Sequence, residues 1–394
     1  MISSLKKMKN RIEYVLKHNR IIQKMYVLFF SMLFKFLSLF IKLDEKLILF
    51  SSFSGKKFND SPRVIYESLK KNTFFDGFRM VWAFEKPEDF HNENLEMVKI
   101  DSFRYFIMAI KAKFWITNVN IERGLRFKRK KQLYLNTWHG TGPKTIGNAV
   151  SGRKDYDFKK IDFLCSDGEY LKNIFVQNFN ANPNNVIMCG RPREDVLYNP
   201  NDAINAEIRN KYGIPLNAKV ILYTPTWRES RDKGSTFIFE NELNISELLS
   251  QLDDDYIVLF RAHSITNKAS NIAFSNKIID VTAEPDINPL FVAADILITD
   301  YSSTPTDFCI LHKPFICFAP DYELYVKNRG LCFDINEKYP FGVLKTTSGV
   351  VKIIKELEKN SHIDEYDSFK LWIAPYGGNA TNTCIEKLFN ISLK

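Results

Sequence analysis

Short apolar runs recur along this chain, and stretches with helical periodicity separate them. The runs are rich in β-branched and aromatic residues, which is typical of buried strands. They form two series, at 47–52, 79–83, 97–100, 114–118, 133–137, 162–166 and 186–189, and then at 219–224, 256–261, 277–281, 295–299 and 314–318. This alternation predicts an α/β protein with two parallel sheets covered by crossover helices.

Helices are expected between these runs, near 62–71, 102–112, 243–252, 286–294, 304–312 and 380–392. The chain has 394 residues, which exceeds the length at which one hydrophobic core usually stops growing. The segment 191–217 contains three prolines and is interpreted as the connection between two domains. The predicted fold is therefore two doubly wound, Rossmann-like domains that face a central cleft.

The predicted organisation has four parts. An N-terminal arm covers 1–45, a first Rossmann-like domain covers 46–198, and a second covers 199–380. A last helix at 381–394 completes the chain, and its crossing back to the first domain is one possible arrangement.

The N-terminal arm is apolar over 21–41, but Lys24 and Lys35 leave only ten uncharged residues between them. A membrane-spanning helix needs about 20. On a helix one stripe collects Lys6, Lys17, Arg20, Lys24, Ser31, Lys35, Ser38 and Lys42. A basic stripe beside a wide apolar face predicts a helix that lies in the plane of an anionic membrane surface, where Lys17, Arg20, Lys24, Lys35 and Lys42 contact lipid. Packing on the body or on a second subunit, and a true span, are the alternatives.

The positive charge of the chain is concentrated in this arm. Residues 1–42 carry nine Lys and Arg against the single acid Glu13, so most of the net charge of +9 belongs to them. The rest of the chain is nearly neutral, and no nucleic-acid partner is expected. A smaller basic run at 123–131 is either a solvated hairpin or a contact for lipid head groups or a phosphorylated acceptor.

Cysteine spacing gives no sign of a metal or disulfide framework. The six cysteines form no CxxC pair, and the histidines are too scattered to match metal-ligand spacing. We interpret the cysteines as small buried side chains in a reducing compartment, and we expect no metal and no cofactor.

His139 is the first candidate catalytic residue, because it follows a predicted strand and stands beside glycines. A neutral imidazole can take a proton from an alcohol near neutral pH. Gly140 would let a ligand approach the backbone, and Thr141 and Lys144 are candidates for contact with an acceptor or a phosphate. The alternative is a structural histidine at a strand end.

Arg261 and His263 are the matching pair in the second half of the chain. Side chains alternate along a strand, so both would lie on one face of the strand end at 256–261. Two cationic groups there suit a pyrophosphate, whose developing charge they would stabilise. Thr226 and Arg228 follow another strand end and would face the same cleft. The alternatives are an arginine paired with a core carboxylate, a capping histidine and a surface Arg228.

A run of polar residues at 300–307 completes the predicted site. It supplies Asp300, Ser302, Ser303, Thr304 and Asp307 as candidate donor-binding residues. Hydroxyl groups and backbone N–H groups at a helix opening bind phosphate without a metal ion. A simple capped helix is the alternative.

These segments together resemble the CDP-glycerol glycerophosphotransferase family of teichoic-acid and capsule synthesis. The matching motifs, in chain order, are Ser54-Gly55, Asp60-Ser61-Pro62, Ile65-Tyr66-Glu67, Thr137-Trp138-His139-Gly140-Thr141, Gly190-Arg191-Pro192-Arg193-Glu194-Asp195, Tyr223-Thr224-Pro225-Thr226-Trp227-Arg228, Arg261-Ala262-His263, Asp286-Ile287-Asn288-Pro289-Leu290 and Ala294-Asp295-Ile296-Leu297-Ile298-Thr299-Asp300-Tyr301-Ser302-Ser303. The resemblance covers about 48–390 and implies a GT-B fold with an acceptor domain followed by a CDP-donor domain.

The resemblance also implies an activity. The enzyme would transfer an alditol phosphate, most simply glycerol phosphate, from a CDP-activated donor to a lipid-linked or polymer acceptor, and CMP would leave. His139 would deprotonate the acceptor hydroxyl and His263 would support the pyrophosphate, without a metal ion, in an enzyme attached peripherally to the cytoplasmic face of the membrane.

Two other functions remain open at this point. One is a GT-B glycosyltransferase that uses a sugar nucleotide, because one fold serves many reactions. The other is a non-catalytic, membrane-associated assembly protein. The alditol, the acceptor, the oligomeric state and the choice among priming, polymerisation and capsule side-branch transfer are also open.

Overall fold

The computed structural model describes residues 19–226, 243–262 and 272–393. Its strands are β1 (Asp44–Ser51), β2 (Arg79–Phe84), β3 (Glu96–Lys99), β4 (Ala112–Thr117), β5 (Leu133–Asn136), β6 (Phe163–Ser166), β7 (Val186–Met188), β8 (Lys219–Thr224), β9 (Tyr256–Phe260), β10 (Ile278–Asp280), β11 (Ile296–Thr299), β12 (Phe315–Phe318) and β13 (Val343–Leu344).

The α-helices are α1 (Arg20–Phe40), α2 (Asp60–Lys71), α3 (Phe103–Lys111), α4 (Glu169–Phe179), α5 (Asp195–Tyr198), α6 (Asp202–Tyr212), α7 (Ile245–Ser250), α8 (Asn288–Ala293), α9 (Thr304–Phe308), α10 (Tyr322–Arg329), α11 (Ile335–Lys338), α12 (Thr347–Leu357), α13 (Ile363–Ile373) and α14 (Ala380–Phe389). Most of them cover the faces of the two sheets, as crossover helices of parallel strands do.

The two sheets are wholly parallel, as predicted. The first has the strand order β3-β2-β1-β4-β5-β6-β7, and the second has the order β10-β9-β8-β11-β12-β13. The strand interiors are continuous apolar runs because helices bury both faces, and Leu47 to Phe50 of β1 are fully buried. The order reverses between β1 and β4 and between β8 and β11, and ligands of doubly wound sheets bind at such points.

The predicted strands agree with the observed ones, whereas several helices were not predicted. The short strand β13 was also missed. The proposed connection at 191–217 contains α5 and α6, and α6 packs against α8 of the second domain. The prolines and asparagines between these helices hid their periodicity, since such residues usually mark loops.

The helix α14 packs against the first sheet after the chain has completed the second. Its residues Cys384, Ile385 and Leu388 are buried in the core that contains β1 and β4. The ring of Phe389 lies 4.4 Å from that of Phe114. The first hydrophobic core is therefore built from residues at both ends of the described chain.

The helix α1 packs one face on the first domain. Phe34 is buried there, and its ring stacks on that of Phe106 at 4.5 Å. Ser31 and Ser38 are buried on this side too, whereas Lys24 and Lys35 of the same predicted stripe are exposed. Ser31 Oγ accepts a hydrogen bond of 2.9 Å from the backbone N–H of Arg126, which explains why a small hydroxyl side chain fits this contact.

The other face of α1 is apolar and exposed to solvent. It carries Ile21, Met25, Leu28, Phe29, Met32, Phe36, Leu39 and Phe40, each more than half exposed. Lys24, Lys35 and Lys42 are also exposed. Arg20 begins the helix, whereas Lys17 lies outside the described residues. By length and composition alone, 21–40 is apolar enough to cross a membrane, although its packing on the first domain leaves only one side free for lipid.

Candidate active site

The loop after β5 holds His139 in a defined position. The residue before it, Trp138, has a φ of 56°, a left-handed value that is uncommon for a bulky side chain. Its backbone N–H donates to Oδ1 of Asn136 at 2.8 Å, and its indole N–H donates to the carbonyl oxygen of Gly140 at 2.7 Å. These two bonds compensate the unfavourable backbone angle and fix the loop around His139.

One hydrogen bond determines the tautomer of His139. Its Nδ1 lies 2.8 Å from the backbone carbonyl oxygen of Asn118, which follows β4. A carbonyl oxygen only accepts, so Nδ1 carries the proton and Nε2 keeps its lone pair. Within the described ranges, Nε2 has no hydrogen-bond partner. The side chain is therefore arranged to accept a proton at Nε2.

The surroundings of His139 keep it neutral. Its ring lies 4.3 Å from that of Trp138 and 5.8 Å from that of Phe53. The residue keeps some contact with solvent, but protein atoms surround the imidazole, and this burial lowers the pKa of His139 below its usual value. The hydrogen bond to Asn118 and the nearby carboxylate of Asp60 oppose the shift only in part. A neutral imidazole is the form that acts as a base.

Arg193 connects the His139 loop to both domains. Its Nη1 donates to Oδ2 of Asp60 at 2.5 Å and to the carbonyl oxygen of His139 at 3.1 Å. Its Nη2 donates to Oδ2 of Asp307, at 2.6 Å, in the second domain. Burial alone would raise the pKa of Asp60, but the charge and hydrogen bond of Arg193 hold that pKa below its usual value.

Arg191 forms a second, fully buried network beneath the same loop. Its guanidinium contacts the carboxylates of Asp167, Glu194 and Asp307 at 3.0, 2.5 and 2.9 Å. It also donates to the hydroxyl of Thr141 at 2.9 Å. Paired and hydrogen-bonded charges are the ones that a protein interior tolerates, so this cluster has the form of a structural support.

Two predicted ligand-binding residues belong to these networks. The hydroxyl of Thr141 is buried and donates to the carboxylate of Asp167, while its carbonyl oxygen accepts from the hydroxyl of Thr306. Asp307 is buried, and each of its oxygens accepts from an arginine. In this arrangement both side chains support the loops around the cleft, and their contact with a ligand stays a prediction.

The strand ends of the second domain bring the other predicted residues together. The backbone N–H of Thr226 donates to both carboxylate oxygens of Asp300, at 3.0 and 3.1 Å. Ser302 Oγ accepts from the backbone N–H of Thr304 at 3.2 Å, although the residue at the N-cap of α9 is Ser303. The hydroxyl of Thr304 lies 3.3 Å from that of Thr299. The predicted helix opening exists, but Ser302 already occupies one of its N–H groups.

The two domains touch at Gly140. A Cβ atom at this position would lie 2.5 Å from Oγ of Ser303 and 3.0 Å from its Cβ. Gly142 lies less close to Ser303, with an added Cβ at 3.2 Å from its Cα. The glycines predicted to admit a ligand therefore also permit direct contact between the halves of the site.

Lys144 lies at a second contact between the domains. It forms an isolated antiparallel bridge with Leu331, and the backbone N–H of Cys332 donates to the carbonyl oxygen of Pro143 at 2.7 Å. The backbone around Lys144 is thereby fixed at the edge of the cleft.

Arg261 lies at the end of β9 and is held by carbonyl groups. Its Nη1 donates to the carbonyl oxygens of Val281 and Glu284, at 3.2 and 2.7 Å. Burial lowers the pKa of Arg261, and the carboxylates nearby counteract this only in part. The predicted residues Arg228 and His263 lie outside the described residues.

The arginines at the centre of the site were not predicted to have a role. Arg191 and Arg193 appeared only as part of a family motif, because their partners Asp60, Asp167 and Asp307 are distant in sequence. The available signal was the motif itself, in which a proline separates two arginines and an acid follows.

Comparisons with known proteins agree on one family. The family described as CDP-Glycerol:Poly(glycerophosphate) glycerophosphotransferase matches residues 33–389. The teichoic acid poly(glycerol phosphate) polymerase of Bacillus spizizenii is 32% identical, over 92% of this chain and 95% of the relative. The teichoic acid glycerol-phosphate transferase of Staphylococcus aureus is 32% identical, over 84% of this chain and 88% of the relative.

The length of the chain differs from that of some relatives. The teichoic acid poly(glycerol phosphate) polymerase of Staphylococcus epidermidis is 33% identical over 82% of this chain but only 47% of the relative. The chain thus spans about half of that protein.

The solved structure of a variant of the wall teichoic acid polymerase TagF, soaked with CDPG, superimposes with a TM-score of 0.80. It is 29% identical and covers 97% of both chains. Together with the two parallel sheets, this match confirms the predicted GT-B fold with two Rossmann-like domains.

Proposed function

We propose a function from the family to which this chain belongs, the CDP-glycerol:poly(glycerophosphate) glycerophosphotransferases. The chain transfers glycerol phosphate from CDP-glycerol to a teichoic acid acceptor. The predicted family is thereby confirmed, and the transfer expected from the sequence is the activity that the family description names. Relatives named as glycerol-phosphate polymerases and transferases support glycerol as the alditol. A relative named as a ribitol-phosphate polymerase is more distant, at 26% identity.

The observation that carries the proposal is the protonation of His139. Its Nδ1–H is bound to the carbonyl oxygen of Asn118, and burial lowers its pKa, so Nε2 is a free base at neutral pH. In the proposed reaction Nε2 takes the proton of the acceptor hydroxyl. The hydroxyl oxygen forms a bond to the phosphorus nearer the glycerol, the pyrophosphate P–O bond breaks, and CMP leaves with that electron pair.

The donor is assigned to the strand ends of the second domain. Arg261, at the end of β9, supplies a fixed positive charge for the pyrophosphate. Thr226, Asp300, Ser302, Ser303 and Thr304 lie at the neighbouring ends of β8 and β11, where doubly wound domains bind nucleotides. His263 and Arg228 keep their proposed roles at the donor from the sequence alone. Gly140 and Lys144 are assigned to the acceptor side of the cleft.

We assign the acceptor to a lipid-linked or polymer glycan at a membrane surface. The exposed apolar face of α1 would enter the lipid, while Lys24, Lys35 and Lys42 would contact anionic head groups. The basic loop at 123–131 packs beside α1, and Arg126, Lys130 and Lys131 are exposed there. This favours the head-group interpretation of that loop over a solvated hairpin. We assign the reaction to the cytoplasmic face of the membrane, as the resemblance to the family implies.

The transfer is proposed to need no divalent metal ion. Arg261 and the hydroxyl groups of the cleft would stabilise the charge that a metal ion otherwise neutralises. Turnover should therefore be unchanged in excess chelator and unaffected by added Mg²⁺. A strict requirement for Mg²⁺ in initial-rate assays would contradict this assignment.

The released nucleotide tests the function directly. Purified protein would be incubated with CDP-glycerol, CDP-ribitol and a panel of sugar nucleotides, with a membrane extract as acceptor. We expect CMP from CDP-glycerol, and its loss in His139→Ala. Release of a nucleoside diphosphate would instead identify a glycosyltransferase. If no donor were consumed and His139→Ala and His263→Ala still functioned in cells, the protein would be a non-catalytic assembly factor.

A further inference from the structure

Three cysteine side chains meet inside the first domain. Cys165 is in β6, Cys189 directly follows β7, and Cys384 is in α14. All three are buried, and their sulfur atoms lie within 4.8 Å of one another. The Sγ atoms of Cys165 and Cys384 are 3.3 Å apart. Segments that are distant in sequence thus place three thiols around one point.

The spacing of these sulfurs suits a shared ligand. Metal–thiolate bonds are about 2.3 Å long, so three sulfurs around one ion in a plane lie about 4 Å apart. One separation is 3.3 Å and all lie within 4.8 Å, so small rotations of the side chains would bring the sulfurs to that value. All three cysteines belong to one buried hydrophobic cluster of the first domain. The Cys189 thiol also donates to the carbonyl oxygen of Gly190 at 3.3 Å, a weak contact that a metal–sulfur bond would replace.

We propose that Cys165, Cys189 and Cys384 form a three-thiolate site for one soft metal ion with a filled d shell. Soft thiolate ligands select such thiophilic ions over hard cations. Each thiol loses its proton as a metal–sulfur bond forms, so binding releases up to three protons per ion. The site is independent of the proposed transfer reaction and goes beyond it.

The ligand count narrows the class of ion. Structural Zn²⁺ sites almost always have four ligands. Over 19–226, 243–262 and 272–393, no further His, Cys, Asp or Glu joins the three sulfurs. An ion that accepts three sulfur ligands, such as Cd²⁺ used as a probe, should therefore bind more tightly than Zn²⁺.

An ion at this site would fasten α14 to the first sheet. Cys384 lies in the second turn of α14, whereas Cys165 and Cys189 belong to the edge region formed by β6 and β7. Cys189 also precedes Gly190 and the buried Arg191 network. We expect bound metal to slow amide hydrogen exchange in α14 and to raise the Tm of the whole chain.

Cadmium titration tests the proposal. The full chain carrying Cys332→Ser, which removes the half-buried thiol, would be kept reduced and free of oxygen. Cd²⁺ would be added both to folded protein and during refolding, so that burial does not block entry. We expect one Cd²⁺ per chain with ultraviolet thiolate-to-cadmium absorption, and weaker binding of Zn²⁺ in competition.

Single substitutions identify the ligands. Cys384→Ala and Cys165→Ala should each weaken Cd²⁺ binding more than about 100-fold, since loss of an outer-shell partner alone costs about 10–100-fold. Cys309→Ala is the matched control, because Cys309 is buried in the other domain and should leave binding unchanged. Tm values of the metal-free variants identify any that fail to fold.

Two outcomes would overturn the proposal. One is no Cd²⁺ uptake by either route in a chain whose thiols all react after denaturation, which would make the cysteines ordinary core side chains. The other is equal Cd²⁺ absorption in Cys384→Ala and its parent. Neither outcome depends on transferase activity, so failure here and failure of the proposed function are distinguishable.

Discussion

His139 shows how a single residue acquires its chemistry from its neighbours. The flanking glycines and the preceding strand marked it as a candidate in the sequence. Its tautomer depends on the carbonyl oxygen of Asn118, which lies on another strand end and has no signal in the sequence. The same holds for Arg193, because its partners Asp60 and Asp307 come from separate domains. The sequence therefore predicted which histidine is the candidate base, but it did not predict the hydrogen-bond and ion-pair partners of His139 and Arg193.

The lowered pKa of His139 predicts a specific pH profile. The imidazole must be neutral to act as a base, and burial makes it neutral to lower pH than a free histidine, which titrates near about 6.5. We expect the fall of kcat/KM for CMP release at acidic pH to begin at a lower pH than it would for a histidine with the usual pKa of about 6.5.

His139→Ala should lower the rate by about 10²- to 10⁴-fold, the usual contribution of a general base. A rate that keeps rising between about pH 6.5 and 8 would show that the base has a normal or raised pKa.

The lowered pKa of His139 also affects the stability of the folded protein. Below the usual histidine pKa of about 6.5, the unfolded chain binds a proton at His139, whereas the buried imidazole of the folded chain resists protonation. The free energy of unfolding therefore falls as the pH drops below about 6.5.

Removal of Arg193 should destabilise the fold as well as the site. Arg193→Met leaves the buried carboxylates of Asp60 and Asp307 without that partner. We expect the free energy of unfolding to fall by about 3–5 kcal/mol, as for other broken buried ion pairs. Arg79→Met is the control, because Arg79 and Glu96 form an exposed pair that contributes about 1 kcal/mol or less. Similar losses in urea unfolding of the two variants would contradict a structural role for Arg193.

At the scale of elements, the strands were easier to predict than the helices. Buried strands such as β8 and β11 are continuous apolar runs, since helices cover both faces of a parallel sheet. The helix α10 has no fully buried residue and packs on the core through the partly buried Tyr322 and Tyr325, so its sequence shows only a weak apolar stripe. The helix α1 was predicted, but its orientation was not, because Ser31, which looks polar in sequence, accepts a hydrogen bond from the body of the protein. Periodicity identifies an element better than it identifies the surface that the element contacts.

The two faces of α1 should respond differently to substitution. Leu28→Glu with Met32→Glu places charges on the exposed apolar face, where both residues are more than half exposed. We expect at least about a tenfold loss of sedimentation with anionic vesicles, because each of these side chains would contribute about 1.5–3 kcal/mol when buried in lipid. The Tm should change little, because neither side chain is buried in the protein. Leu371→Glu, at an equally exposed leucine of α13, should leave vesicle binding unchanged.

Phe34→Ala tests the opposite face of the same helix. Phe34 is buried against Phe106, so its truncation should cost about 3–5 kcal/mol of unfolding free energy. If Phe34→Ala were neutral in urea unfolding, α1 would not pack on the first domain in solution.

At the scale of the whole molecule, the two domains contact each other at the cleft, where Gly140 of the first meets Ser303 of the second. The loop around Gly140 approaches Ser303 so closely that a single methyl group would not fit. A general two-domain arrangement was predictable from the repeated strand pattern. The closeness of the two domains was not, because it depends on a glycine in one half and a serine in the other.

The contact between Gly140 and Ser303 predicts that a substitution at one residue can offset the effect of a substitution at the other. Gly140→Ala should destabilise the protein by about 1–3 kcal/mol, the usual cost of overpacking, because its Cβ would meet Ser303. Ser303→Gly removes the side chain that is struck and should restore part of the loss in the double variant. A double-mutant cycle in thermal unfolding measures the coupling. Strictly additive effects would mean that the two loops do not touch in solution.

The position of α14 affects the order in which the two domains fold during synthesis. Ribosomes make proteins from the N-terminus, and domains generally fold as units during synthesis. Here the core that contains β1 also needs Ile385 and Leu388, which are added only after the entire second sheet. The core of the first domain therefore lacks the side chains of α14 until the second domain has been synthesised. The half of the cleft that carries His139 is the earlier half to be translated and the later half to mature.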